Sequence, residues 1–304
     1  MRTARLIKGE DFRRRIALDI EVIKFSHETK SKHNKKFIMD VSEKQDESII
    51  AWKKGTILIV STQDDDVTIM ANKDSSGLFN DCYNLEKIVF DNFDTSEVTN
   101  MNGMFFHCES LMSLDISHFD TSKVTDMGRM FKSCWMLKKM DLSNFDTSNV
   151  TDMSDMFSGC ENLTNLNISS FDTSNVTKMY NMFCQCHSLM ELNLNNFDTR
   201  NVLTMCNMFY SCEHLQTLHV DNFDTSKVTK MERMFSHCQK LKRLNLDSFD
   251  TSNVTNMQGM FSNCVELESC NTEHFDFKKV LCTYDMFSNC IKLKSPIPEA
   301  AGII

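Results

Sequence analysis

A cysteine recurs every 26 residues along most of this 304-residue chain: Cys82, Cys108, Cys134, Cys160, Cys186, Cys212, Cys238, Cys264 and Cys290. Phe93, Phe119, Phe145, Phe171, Phe197, Phe223, Phe249 and Phe275 keep the same interval without a slip. The consensus unit is F-D-T-S-x-V-T-x-M-x-x-M-F-x-x-C-x-x-L-x-x-L-x-L-x-x, and residues 119–144 are a full copy. An unbroken period of this kind leaves few folds open. One unit cannot bury its own apolar side, whereas stacked units lay identical positions over one another and share a single core. The array begins with a partial unit near Leu78 and Phe79 and runs down in a degenerate one at Cys290, Leu293 and Pro296.

Two periodicities alternate within the unit. Val124, Met127, Met130, Phe131 and Cys134 recur at steps of three or four, a spacing that predicts one apolar face of a short helix. The preceding Asp-Thr-Ser offers oxygens to the free N–H groups at that helix's start. Leu163, Leu166 and Ile168 end in strict alternation, which predicts a short strand with Leu166 and Ile168 inward and Asn165, Asn167 and Ser169 outward. L-x-x-L-x-L is the leucine-rich repeat signature. Where such repeats carry a turn-forming Asn or Cys, this chain carries Phe93 and its counterparts, so an aromatic column is expected in place of an amide ladder. The expected fold is therefore α/β: a leucine-rich-repeat-type solenoid of eight to nine coils over residues 77–293, with one short helix and one short parallel strand per coil. Residues 1–76 are expected to form a small N-terminal α+β cap with a basic segment, and 294–304 a C-terminal tail.

The repeat resembles that of the BspA-type leucine-rich repeat proteins, specifically the bacterial surface-protein repeat F-D-T-S-x-V-T-x-M-x-x-M-F-x-x-C. Near-literal copies start at Phe119 (FDTSKVTDMGRMFKSC), Phe145 (FDTSNVTDMSDMFSGC) and Phe249 (FDTSNVTNMQGMFSNC). The resemblance implies exported or surface-attached proteins that adhere to proteins and host cells. The first 25 residues carry charges every few positions and no apolar signal core, so no classical export signal is expected. On that ground a cytoplasmic scaffold or translocated effector, built on the same solenoid, is the alternative expectation.

Ahead of the array, Phe12, Ile16, Ile20 and Ile23 stand at helical spacing and predict an amphipathic helix over 11–25. Residues 27–36 read as a polar, basic loop. Residues 49–52 and 57–60 flank Lys53-Lys54-Gly55-Thr56 and read as a β-hairpin, with a third strand over 67–71. Their expected job is to cover the exposed end of the first coil.

Charge and residue chemistry narrow the function. The net charge is -9, although residues 1–40 hold 11 Lys and Arg against 6 Asp and Glu. Such a body is not expected to bind nucleic acid through its phosphates. No apolar run approaches the 18 residues or so of a membrane span. The ladder cysteines lie on an apolar face with side chains in parallel, poor geometry for disulfides, so they are expected to be reduced core thiols. Off the ladder, Cys206 and Cys282 fall at outward positions. Cys184-x-Cys186-His187 imitates a metal-ligand spacing, but Cys186 belongs to the core. The column from Asp94 to Asp276 would suit Ca²⁺, yet the adjoining Thr-Ser turn offers those carboxylates local donors. His107, His187 and His237 adjoin ladder cysteines without an oriented third partner. No catalytic residue, metal or cofactor is expected.

The outward side of the strands varies from coil to coil while keeping an ordered surface. The central column runs through Asp115, Asp141, Asn167, Asn193, His219 and Asn245, with Lys139, Glu191 and Arg243 beside it. Curved solenoids present such columns on a concave face. These nine residues are the expected contact set of a non-catalytic binding or adhesion protein whose partner is a protein or a glycan.

Overall fold

The computed structural model describes residues 2–30, 38–294 and 297–298. Of the expected basic loop, residues 31–36 lie outside the described residues, as does the C-terminal tail apart from Lys294, Ile297 and Pro298.

The coils stack along one continuous seam. Parallel bridges join Asp74 to Asn100, Asn100 to Asp126, and onward in 26-residue steps to Asn256 and Cys282. After each bridge the M-x-x-M-F-x-x-C segment divides its backbone donors in two. Met127, Arg129, Phe131 and Ser133 donate to Asp152, Ser154, Met156 and Ser158 of the next coil, whereas Met130, Lys132 and Cys134 donate three residues back within their own coil. The expected helix is therefore absent. Among the described residues the coils contain no α-helix, and the segment is a run of tight turns. An α-helix would satisfy its donors internally and leave none for the neighbouring coil. The turns instead place one residue in four in the left-handed region: Arg129 and Ser133, Asp155 and Gly159, Asn181 and Gln185. Turns closing every four residues give the same three-and-four apolar spacing as a helix.

That seam encloses the core. Phe105, Phe131, Phe157, Phe183, Phe209, Phe235 and Phe261 form one stacked column, with centroids 5.0–5.8 Å apart when Phe79 and Phe287 are included. The methionines at 127, 130, 153, 156, 179 and 182 are fully buried around it. The ladder cysteines are unpaired, and each thiol from Cys108 onward donates to a phenylalanine carbonyl of the preceding coil, as Cys160 Sγ does to Phe131 O at 3.2 Å. This hydrogen bond satisfies both a buried weak donor and a turn carbonyl.

Away from the seam the coils are farther apart and side chains act as spacers. Thr121 Oγ1 donates to Asp146 O at 2.9 Å and accepts from Asp146 N–H at 2.9 Å, and Thr95, Thr147 and Thr173 repeat the arrangement. The second aromatic column is looser, at 6.1–6.5 Å for Phe93–Phe119, Phe171–Phe197 and Phe223–Phe249. An amide ladder is present after all, one residue before the phenylalanine. Asn144 Nδ2 donates to Ile116 O and Phe119 O, and Asn196 to Ile168 O and Phe171 O.

The N-terminal region is mostly strand: β1 Arg2–Arg5, β2 Val22–Ser26, β3 Ile38–Asp40, β4 Ile50–Lys54, β5 Ile57–Ser61 and β6 Val67–Met70, with one short helix, α1 Gly9–Arg13. The hairpin is β4–β5, as its sequence predicts. The helix expected over 11–25 stops at Arg13. Ile23 and Phe25, both fully buried, alternate with half-buried Val22 and Lys24, and β2 bonds β5 on one side and β7 (Lys87–Phe90) on the other. Pairing on both edges overrides the helical spacing. The order of this sheet is β3-β4-β5-β2-β7, and β7 belongs to the first coil. β6 pairs with β1 in parallel and reaches Asp94 through Met70. Gly9 lets α1 approach the first turn, since a Cβ there would lie 2.2 Å from Ser76 O.

The strand face as candidate functional site

Six short strands carry seven of the nine expected site residues, whereas Asp115 and Asn245 lie outside any strand: β8 Lys139–Asp141, β9 Asn165–Asn167, β10 Glu191–Asn193, β11 Thr217–His219, β12 Arg243–Leu244 and β13 Ser269–Cys270. In the three-residue strands the middle apolar residue points inward and its neighbours turn out, and the two-residue strands bury Leu244 and Cys270. Met140, Leu192, Leu218 and Leu244 are buried, whereas Leu166 is half-exposed.

The strands pair in parallel and in register, so side chains of successive coils lie side by side. Lys139 is opposite Asn165, Asp141 opposite Asn167, Glu191 opposite Thr217, Asn193 opposite His219, and Arg243 opposite Ser269. Asp115, Asp141, Lys139, Glu191, Asn193, Arg243 and Asn245 are exposed; Asn167 and His219 are half-buried. Asn167 Nδ2 donates to Asp141 Oδ1 at 2.9 Å and Asn271 Nδ2 to Asn245 Oδ1 at 3.2 Å, so amides link neighbouring coils. The Ser117 hydroxyl and N–H hold Asp115 below the usual carboxylate range, and those of Ser143 do the same for Asp141. The face is thus a set of pre-ordered acceptors and amides at neutral pH.

The strands do not form one sheet. β8 pairs with β9, β10 with β11 and β12 with β13, but no backbone hydrogen bond joins β9 to β10 or β11 to β12. The coils are held by the backbone seam on one side and by side-chain bridges on the other, as Asn196 Nδ2 donates to Ile168 O and Phe171 O. A continuous concave sheet is thereby replaced by three separate strand pairs. The largest consequence is a cleft of about 310 Å³ between β9 and β10, lined by Leu166, Asn167, Ser169, Glu191, Asn193 and Asn195 among others. No residue pattern marks this break, because a strict repeat predicts equal spacing everywhere.

Other candidate chemistry resolves into structure. Each Asp of the F-D-T-S column accepts from the residue two ahead, as Asp120 does from the N–H and hydroxyl of Ser122 at 3.0 and 2.7 Å. Cys186 donates to Phe157 O at 3.2 Å and is fully buried, while His187 lies 3.7 Å from Glu213. Among the described residues no group of three or more His, Cys, Asp or Glu is placed to hold a metal ion. No helix there is long and apolar enough to cross a membrane.

Cys206 and Cys282, both expected outward, are both half-buried. The Cys206 sulfur lies 3.0 Å from Thr204 Oγ1, and burial pushes its thiol up to about 12. Since the thiolate is the reactive form, Cys206 should label at least about tenfold more slowly than half-buried Cys282 at pH 8, with the buried ladder cysteines from Cys108 to Cys264 slower still. Mass spectrometry of a thiol-alkylation time course checks this. Equal rates at Cys206 and Cys282 would contradict the placement of Cys206 against the turn.

The sequence profile of a family described as "Mycoplasma protein of unknown function, DUF285" matches residues 73–190, 135–219 and 213–300. No curated protein matches the chain. Among solved structures it is similar to a leucine-rich repeat protein from Bacteroides ovatus ATCC 8483, at 15% identity and a TM-score of 0.38, covering 90% of this chain and 73% of that one. It is also similar to a leucine-rich repeat protein from Eubacterium ventriosum ATCC 27560, at 16% identity and a TM-score of 0.37, covering 84% of this chain and 90% of that one.

Proposed function

As the chain belongs to the DUF285 family of BspA-like leucine-rich repeats, we propose that it is a non-catalytic recognition protein whose strand face takes a protein or glycan partner. One observation carries the proposal. The outward residues of the strands differ between coils, are polar and mostly exposed, and from Lys139 to Ser269 are held in register on paired strands. Rigid strands hold such side chains with little ordering cost on binding, which is what a recognition surface needs. The contact set is Asp115, Asp141, Asn167, Asn193, His219 and Asn245, flanked by Lys139, Glu191 and Arg243. A role in adhesion at a cell surface is the family-based extension of this reading.

Alanine at Asp141, Asn167, Asn193, His219 and Asn245 together tests it. Surface substitutions cost under about 0.5 kcal/mol each, so thermal unfolding should shift little. Affinity for a partner captured with the full chain should fall at least about tenfold, because donors and acceptors are stripped from the middle of the footprint. The matched control is alanine at Lys123, Lys227 and Lys230, all exposed and away from the strands. Full binding by the strand variant, with loss in the lysine variant, would move the site off the strand face.

A further inference from the structure

In the middle of the array the turns pair their charges between neighbouring coils. Lys132 Nζ lies 2.8 Å from Asp155 Oδ1 and Arg129 Nε 4.0 Å from Asp155 Oδ2, while Lys178 Nζ lies 2.8 Å from Asp152 Oδ2. Further along the column of Arg129 and Asp155 the pairing stops. Arg233 and Asp285 stand two coils apart, with Gly259 between them. Over Gly259 lies a hollow of about 220 Å³, lined by both charged residues and by Tyr210, Ser236 and Gln258 among others. Among the described residues neither the Arg233 guanidinium nor the Asp285 carboxylate has an ion-pair or hydrogen-bond partner. The Ser236 hydroxyl, on a residue only 2% exposed, also lacks one. The Tyr210 ring stands nearly edge-on to the His237 imidazole, with centroids 5.5 Å apart, which steadies it at the wall. A buried hydroxyl without a protein partner, opening on a hollow between two unpaired charges, is a group set for a ligand.

We infer that this hollow binds a sugar ring bearing a carboxylate, as an acidic glycan presents. The site is separate from the strand face and does not rest on it. The Arg233 guanidinium takes the ligand carboxylate through two parallel N–H bonds. Asp285, an acceptor only, takes hydroxyl protons from the far side of the ring. Ser236 and Gln258 bond the remaining oxygens, and the Tyr210 ring lies against the sugar's C–H groups. Charge narrows the class. One guanidinium facing one carboxylate suits a monoanion, whereas a phosphate dianion is repelled by Asp285. An α-amino acid carries its two charges on one carbon and does not span coils two steps apart. No aliphatic side chain lines the hollow, so it offers an apolar peptide side chain no anchor.

Trigalacturonic acid and sialyllactose are the acidic probes, lactose the neutral one, and a capped Glu-Ser-Glu-Ser peptide tests the charge without the ring. All are titrated into the full chain by calorimetry. Gly259→Asn fills the hollow while keeping the backbone, since Asn181 and Asn207 hold the same positive φ in that column. Arg233→Asn removes the guanidinium, and Arg129→Asn makes the same change in the same column outside the hollow. Circular dichroism checks that all three fold. At least one acidic sugar should bind the parent at least about tenfold more tightly than lactose does. It should bind Gly259→Asn and Arg233→Asn at least about tenfold more weakly, and Arg129→Asn within about twofold of the parent. Retained binding in either hollow variant, an equal loss in Arg129→Asn, lactose bound as tightly, or no sugar bound at about 10 mM would overturn the inference. Binding of the peptide alone would overturn a sugar as the occupant. Loss of sugar binding in the five-alanine strand variant, with the hollow variants unaffected, would move the sugar to the strand face.

Discussion

Phe157→Asp is expected to unfold the centre of the array. Phe157 is fully buried, with Phe131 and Phe183 stacked 5.7 Å away on either side. The substitution removes packing worth about 3–5 kcal/mol. It also places a carboxyl group where no free donor awaits it, at a cost of about 2–7 kcal/mol even when it is protonated. Together these approach the whole stability of a typical domain, about 5–15 kcal/mol. Each coil touches only its neighbours, so the lesion separates the coils before it from those after it. Phe157→Leu keeps an apolar group in the slot and should cost about 1–3 kcal/mol. Thermal unfolding followed by circular dichroism distinguishes the two. A Phe157→Asp protein that melts with the parent would mean that the aromatic column does not hold the coils.

Much of this architecture is legible in the sequence, because the period fixes which positions share a column. The inward Met140, Leu192 and Ile168, the outward Asp141 and Asn193, and the buried Cys ladder all follow from that. Apolar spacing does not distinguish the run of turns from a helix, since turns of four residues bury the same positions. A second signal was available: Gly77 and Gly103, Asp155, Asn181 and Asn207 occupy one column, and Gly159, Ser211, Asn263 and Asn289 another. Those residue types tolerate a positive φ, which no helix interior allows. Over 11–25, Ile20 and Ile23 satisfied a helical template, yet Ile23 and Phe25 are two apart on a strand paired at both edges. The aromatic column does not replace the amide ladder, which lies one residue before the phenylalanine, at Asn144 and Asn196. The candidate site was half legible. Its side-chain columns repeat with the period, whereas the cleft is a difference between coils.

The central claim is that the protein is a stack of identical coils joined along one backbone seam. Deleting residues 145–170 tests it most directly. Asn144 then meets Phe171 in register, and Met127, Arg129, Phe131 and Ser133 find in Lys178, Tyr180, Met182 and Cys184 the acceptors that residues 152–158 supplied. Deleting residues 145–157 instead sets turn segments against strand segments, so neither the seam nor the phenylalanine columns can form. In thermal unfolding by circular dichroism, the full-coil deletion should melt cooperatively, about 5–10 °C or less below the parent, as the loss of one neighbour interface among several implies. The half-coil deletion should show no cooperative transition. Equal behaviour of the two, whether both folded or both unfolded, would contradict the stacked-coil account.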